Sequence, residues 1–495
     1  MTDMEASGPG FKKRKLAAPK TLGVSPAPGD TGAADPKSPR SAHDQQPPPG
    51  TEGGPDRISN LADAILGEIV SLLPTKQAVR TQILSPRWRH IWSTAPLNLD
   101  CESLPAADDD VLAGIITRTV SAHPGPGRRF CVPSGFLRDR AAAVDAWLRS
   151  PALDKLQELE FWFKPYYRPQ TLQQPPPSST FRFWATLRVL TIGNCNLPDS
   201  TVQRLHFPLL KQLGLELVSI SESSLHALVA GCPALDCLLI KHGFGFRSLR
   251  INSLTLRIVC VKNYRMCSDQ LKELIVENAP CLQSLLHLDF DYGLHVSVVS
   301  APKLETLGRL TDAVYISKQD DLSRLVFGST VIQGLRVDTL TTVVSTVKSL
   351  AIRMKTLSLD MVIELMRCFP CLEKMYIQSD SKKEKIEWRR KHRDLIKCLD
   401  IRLKTIVFSR YLGTKSDINF ASFFVLNARV LELMTFQLEP RDYNEEFLAK
   451  HRRELQLGNK ASRDAQFHFT ADRCFRCVYD IHHVRDLDST DPFVW

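Results

Sequence analysis

Apolar residues between positions 61 and 92 fall at helical spacing, and the breaks between them fall at residues that start or stop helices. Leu61, Ile65, Leu66, Ile69, Leu72 and Leu73 form one stripe that Pro74 ends, with Asn60 and Asp63 supplying a polar start. Thr75 is placed to cap a second helix carrying Val79 and Ile83. Ser85 is placed to cap a third, with Pro86 in the first turn, where a missing N–H costs nothing, and Trp88 and Trp92 then share one face. Three helices in roughly 35 residues enclose too small a core to stand alone, so the pattern implies that something else covers them.

From about residue 150 the period changes. Frames of the form L-x-x-L-x-L begin at Leu156, Leu187, Leu210, Leu235, Ile251, Leu285, Leu322, Met354, Leu372, Leu403 and Leu431. Their irregular steps centre near the leucine-rich-repeat period, which predicts a solenoid whose short strands bury leucines against neighbouring repeats. Pro233, Pro280, Pro302 and Pro370 precede frames, at the loop entering each strand.

Residues 1–55 hold ten prolines and eight glycines, a composition that cannot offset its chain entropy, and are read as a disordered tail. Lys12, Lys13, Arg14 and Lys15 within it form a basic cluster of the nuclear-import kind. No window approaches a membrane span, and no apolar leader opens the chain. The 13 cysteines, scattered through apolar contexts, read as reduced buried thiols, which fits nucleus and cytoplasm.

Several stretches of the chain resemble plant F-box proteins that carry leucine-rich repeats and a C-terminal FBD domain. The F-box resemblance lies in Asp56-Arg57-Ile58-Ser59, Leu61, Asp63, Ile65-Leu66, Ile69, Leu72-Leu73-Pro74-Thr75-Lys76, Ala78-Val79, Leu84-Ser85 and Arg87-Trp88-Arg89 with Trp92. Ala62 stands where that family usually has proline, and Pro86 where it usually has a basic residue. Residues 403–436, with Asn427-Ala428 and Val430-Leu431-Glu432 at their centre, resemble the FBD domain, and 459–469 look like the tail of grass members. The fold class so implied is an α/β repeat: a three-helix F-box over 56–98, an irregular solenoid over 99–397, and an FBD domain and tail over 398–495.

The resemblance implies a non-catalytic substrate adaptor of an SCF-type cullin-RING ubiquitin ligase. In that reading Leu61, Ile65, Leu66, Pro74, Val79, Leu84 and Trp88 bind a Skp-type adaptor, and Ile69, Leu72 and Ile83 pack inward. Lys76, Arg80, Arg87 and Arg89 steer encounter with the acidic adaptor. The alternative is a free-standing repeat scaffold whose F-box is non-functional.

No phosphate loop, nucleophile elbow or H-E-x-x-H helix is present, so catalysis is not expected. Cys368-x-x-Cys371 and Cys474-x-x-Cys477, the latter followed by His482 and His483, have zinc-like spacing but are read as structural thiols, and no metal or cofactor is expected. The basic stretch 382–393 around Trp388 is read as a solvated face rather than a nucleic-acid site. Strand positions alternate with the leucines and should line a concave face, where Glu158, Glu160, Glu216, Asp289, Asp291 and Asp360 oppose Lys241, Arg257, Arg324 and Lys374. That balance favours a protein target over phosphate, contacted by Glu160, Trp162, Glu216, Lys241, Arg257, Arg324, Asp360 and Tyr376, with Trp162 and Tyr376 as aromatic anchors.

Overall fold

The first helix, α1 (Asp63–Leu72), starts after Ala62 rather than Asn60, and no side chain caps it. Ala62 has φ −64°, the angle that a proline ring would enforce, so the backbone enters the helix as if proline were present. The second helix, α2 (Thr75–Arg80), follows Pro74. Thr75 does not cap it: its hydroxyl donates to the Asn98 carbonyl at 2.9 Å and accepts from the Asp100 N–H at 2.7 Å. The third helix, α3 (Pro86–Thr94), begins after Ser85 with proline in its first turn, as the sequence predicts, but the Ser85 side chain makes no capping hydrogen bond.

The computed structural model describes residues 58, 60–104, 108–162, 174–263, 270–286, 293–312, 323–379, 400–476, 481, 483–487 and 491–494. The cluster Lys12–Lys15, the stretch 382–393, Asp289, Asp291, Cys477 and His482 lie outside these residues. Leu61–Trp495 forms one compact unit.

Its strands in chain order are β1 (Leu97–Asp100), β2 (Gly127–Pro133), β3 (Glu158–Trp162), β4 (Val189–Leu197), β5 (Gln212–Ile220), β6 (Cys237–Lys241), β7 (Ser248–Asn252), β8 (Ile258–Lys262), β9 (Glu273–Asn278), β10 (Ser284–Leu286), β11 (His295–Val298), β12 (Thr306–Thr311), β13 (Arg324–Phe327), β14 (Thr330–Gln333), β15 (Arg336–Thr339), β16 (Ser349–Met354), β17 (Lys374–Ser379), β18 (Thr405–Ser409), β19 (Leu433–Gln437) and β20 (Gln466–Thr470). Fourteen of them form one parallel sheet in the order β1-β2-β3-β4-β5-β6-β8-β10-β12-β16-β17-β18-β19-β20. One rung of it runs Phe130, Leu159, Leu190, Leu213, Leu238, Val259, Leu285, Leu307, Leu350, Met375, Ile406 and Met434, each buried and opposite the next. This row is the leucine ladder of the solenoid. β18, β19 and β20 simply extend it, so the FBD-like segment continues the array.

The return path of each repeat differs along the array. Towards both ends it is helical, as in Ala141–Arg149, Glu222–Ala230, Leu359–Cys368, Lys415–Asn427 and Glu445–Glu454. In the middle it is a second, six-stranded sheet in the order β15-β14-β13-β11-β9-β7. The sequence frames at Leu156, Leu187, Leu210, Leu235, Leu372, Leu403 and Leu431 fall on the long sheet as read. Four others are displaced. Leu254 of the Ile251 frame is exposed, and the ladder strand there is β8, led by buried Leu256. The Leu285 and Met354 frames belong one step earlier, on β10 and β16, and the Leu322 frame falls on β13 in the second sheet. In this middle region both layers are β with alternating aliphatics, so the pattern alone does not tell ladder from return strand.

Candidate functional site

The two faces expected to make contacts lie on the three helices and on the long sheet. Within the helical unit Leu66, Val70, Ala78, Ile91 and Ala95 form a small core, against which Leu61, Leu73, Trp88 and Trp92 pack partly buried. The unit also leans on the first repeat. Asn98 donates to the Leu73 carbonyl at 2.8 Å, Arg128 pairs with Glu68 at 3.3 Å, and Trp92 meets the His123 ring edge-on at 5.4 Å.

What this core leaves out is aliphatic. Ile65, Ile69, Leu72, Val79, Ile83 and Leu84 are each at least 40% exposed, Ile83 83%. The sequence reading is corrected here in both directions. Leu66, expected at the adaptor interface, is fully buried, whereas Ile69, Leu72 and Ile83, expected to pack inward, lie on the open face. Helical period explains it: Ile65, Ile69 and Leu72 share one side of α1, and Leu66 and Val70 share the other. Ile65, Pro74, Val79 and Leu84 are exposed, and Leu61 and Trp88 are half-buried. Lys76, Arg80 and Arg89 are exposed, while Arg87 braces α3 against α1 through Asp63 at 2.7 Å.

The strand face opposite the ladder is not an open groove. Leu239, Cys260, Leu286, Ala351, Tyr376 and Val407 stand in its middle, and Phe475, Ile481, Val484, Leu487 and Phe493 of the C-terminal segment cover them in a separate buried cluster. Tyr376 is sealed under the Phe475 and Phe493 rings, with centroids at 5.9 and 5.1 Å, and its hydroxyl donates to Asp491 at 2.7 Å. Lys374 pairs with the same carboxylate at 2.8 Å. Burial and that carboxylate both push the Tyr376 phenol well above its ordinary range.

The expected target contacts are therefore redistributed. Glu216 and Lys241 form a buried ion pair, with the Lys241 ammonium also donating to the Ile481 carbonyl at 3.1 Å. Glu160 is fully buried. Arg257 pairs with Asp236 at the entrance to β8. Arg324 belongs to the second sheet, and Asp360 to the first turn of a helix. Trp162, half-buried, stays on this face at the end of β3. The missed signal was in the alternate positions themselves: Cys-Leu-Leu-Ile-Lys and Ile-Val-Cys-Val-Lys are apolar on both sides, the mark of a parallel strand covered on both faces.

The C-terminal segment is anchored at one end by charge. Register places Cys131 on β2 opposite Glu160 on β3, and His483 comes within 4.8 Å of both. Its Nδ1 lies 2.7 Å from Glu160 Oε2 and its Nε2 3.0 Å from Glu102 Oε2. Arg129 Nη2 approaches the other Glu160 oxygen at 2.9 Å, and Arg485 stands at 3.8 Å. Burial disfavours charge on the imidazole, but the hydrogen bonds to Glu102 and Glu160 outweigh it and push His483 up to about 10. Cys131 is pushed up by burial.

Of the two C-x-x-C pairs, Cys368 is buried at the end of the helix Leu359–Cys368, Cys474 faces Gln437 at 3.6 Å, and burial pushes each of these thiols up to about 11. No disulfide occurs among the described residues. No described helix is long and apolar enough to cross a membrane.

Residues 58–100 match the F-box domain, 144–377 match the leucine-rich repeats of an FBD-associated F-box protein, and 391–436 match FBD. An FBD-associated F-box protein of Arabidopsis thaliana is 28% identical over 421 residues, which is 76% of this chain and 98% of that protein. Two F-box/FBD/LRR-repeat proteins of the same plant are 29% identical over 269 residues, covering 51% of this chain and 52% of theirs, and 27% identical over 291 residues, covering 55% and 66%. Three domain matches in this order fall on helices, ladder strands and ladder extension respectively, and the chain belongs to the plant family of F-box proteins that carry leucine-rich repeats and an FBD domain.

Proposed function

We propose that this protein is the substrate-recognition subunit of an SCF-type cullin-RING ubiquitin ligase, docking on a Skp-type adaptor through α1–α3 and carrying a target protein on its repeats. It acts by binding and does no chemistry itself. The observation that supports this is the open aliphatic face of the F-box helices. The exposed parts of Ile65, Ile69, Leu72, Val79, Ile83 and Leu84 amount to about three whole side chains, or ~5–10 kcal/mol of transfer free energy awaiting a partner. Part of that is consumed by the entropy of association. Lys76, Arg80 and Arg89 beside it suit an acidic partner and its rate of encounter.

The target meets a composite surface on the repeats, in which the outer side of the C-terminal segment replaces the strand positions it covers. The Lys12–Lys15 cluster, outside the described residues, directs part of the protein to the nucleus; a reporter fused to residues 1–30 that shows no nuclear enrichment removes that part of the reading.

The deciding experiment is co-purification with a Skp-type adaptor, comparing the natural chain with Ile83→Asp/Leu84→Asp. Both positions face solvent, so the variant should fold normally by thermal melting while losing adaptor binding. A correctly folded natural chain that captures no adaptor supports the alternative, a free-standing scaffold.

A further inference from the structure

The cluster at Cys131, Glu160 and His483 has no part in adaptor or target docking as described above, and its geometry asks for an explanation. It holds three different donors, Sγ, a carboxylate oxygen and Nδ1, all buried and all within 4.8 Å of one another. Two come from facing positions of adjacent strands, and the third from a segment more than 300 residues away, 323 from Glu160. We propose that Cys131, Glu160 and His483 bind one zinc ion, which clips the C-terminal segment to the first repeats.

The donor set selects the metal. Thiolate with imidazole and carboxylate suits zinc, whereas magnesium and calcium take oxygen ligands. Zinc bonds of about 2.0–2.3 Å set tetrahedral ligand atoms roughly 3.5 Å apart. Glu160 and His483, now at 2.7 Å, need to part by less than about 1 Å, and the remaining donor spacing already lies within reach.

The surroundings are those of a ligated histidine. With Nδ1 on the metal, Nε2–H donates to Glu102, the carboxylate–imidazole arrangement that fixes ring orientation and strengthens the ligand. Arg129 meanwhile holds the Glu160 oxygen that faces away from His483. The exchange also balances. Zinc enters as the aqua ion, Zn–S, Zn–N and Zn–O bonds form, and the Cys131 thiol proton and one imidazolium proton leave to water with the displaced aqua ligands. Two protons leave and a dication enters, so the buried network keeps its net charge, and no electrons move. Three protein ligands leave a fourth position for water.

The test uses the full-length protein, purified without chelator, its metal content read by mass spectrometry and its zinc replaced by cobalt(II). About one zinc per chain is expected, together with a thiolate-to-cobalt charge-transfer band. Cys131→Ser and His483→Gln should each lose the band and the stoichiometric zinc, and Glu102→Gln should weaken zinc affinity by about 10- to 100-fold. Cys474→Ser should keep both. Natural chain with zinc far below one equivalent and no cobalt band overturns the proposal, a result that does not depend on how the variants fold. Zinc retained in Cys131→Ser but lost in Cys474→Ser overturns it as well, by moving the metal to the C-terminal cysteine pair.

Discussion

Phe493→Ala should release the C-terminal segment without unfolding the repeats. Phe493 is 1% exposed and sits on Tyr376 at 5.1 Å and beside Phe475 at 6.2 Å between ring centroids. Truncating such a side chain costs about 3–5 kcal/mol, aromatic contacts included. The segment meets the array through side chains laid on the strand face, whereas the ladder is held by its own hydrogen bonds and by the opposite core, so the cost falls on local opening. At about 1.4 kcal/mol per factor of ten, the open population rises by roughly two to three and a half orders of magnitude. Native-state hydrogen exchange reads this directly. The Arg476 amide, which donates to the Phe493 carbonyl at 2.7 Å, and the Asp486 amide, which donates to the His483 carbonyl at 3.1 Å, should exchange faster by that factor. Amides of β6 and β8 should change far less. Equal acceleration of strand and segment amides would refute the reasoning, since it would make the segment part of the cooperative core. No acceleration at Arg476 would refute it from the other side.

Leu66→Ala should cost about 2–5 kcal/mol of F-box stability, while Ile65→Ala, one residue away on the open face, should change the melting temperature little; the two melts compared give the check. Ala62→Pro should stabilise the unit by about 0.4–1 kcal/mol, because φ already suits the ring and the unfolded chain loses freedom, a gain that denaturant titration measures. His242 is pushed down to about 3, by burial first and then by Lys262 and Lys241. Its folded-state value lies below the unfolded one, so the unfolded chain binds the proton first, and stability present above about pH 6.5 is lost as pH falls. His242→Asn, which tolerates the φ of 55° there, should remove about 1 kcal/mol of the loss between roughly pH 6.5 and 5.5 in paired melts.

The three helices, the repeat architecture and the family were all legible in the sequence, because each rests on local period. Pro74 and Pro86 punctuate helices wherever they stand, and a row such as Leu159, Leu190 and Leu213 repeats because every rung meets the same neighbour. The ladder continued to be readable through Leu403 and Leu431, although the chain there resembles a different domain. What the sequence left open was which apolar residue faces which way. On α1, Ile65 and Leu66 are chemically alike, and the packing of α3 and β1 decides that Leu66 is covered and Ile65 is not. In the middle repeats, two β layers share one alternating pattern, and only hydrogen-bond register separates β7, β9, β11 and β13 from the ladder. The charges that looked like a target site, Glu160, Glu216 and Lys241, were placed on the right face by alternation, yet their partners come from strands and a C-terminal segment up to 323 residues distant. Burial by a remote segment leaves no local mark on the residues it covers beyond apolarity on both faces, so the closing of the strand face by Phe475, Ile481 and Phe493, and the meeting of Cys131, Glu160 and His483, were decided by the tertiary fold alone.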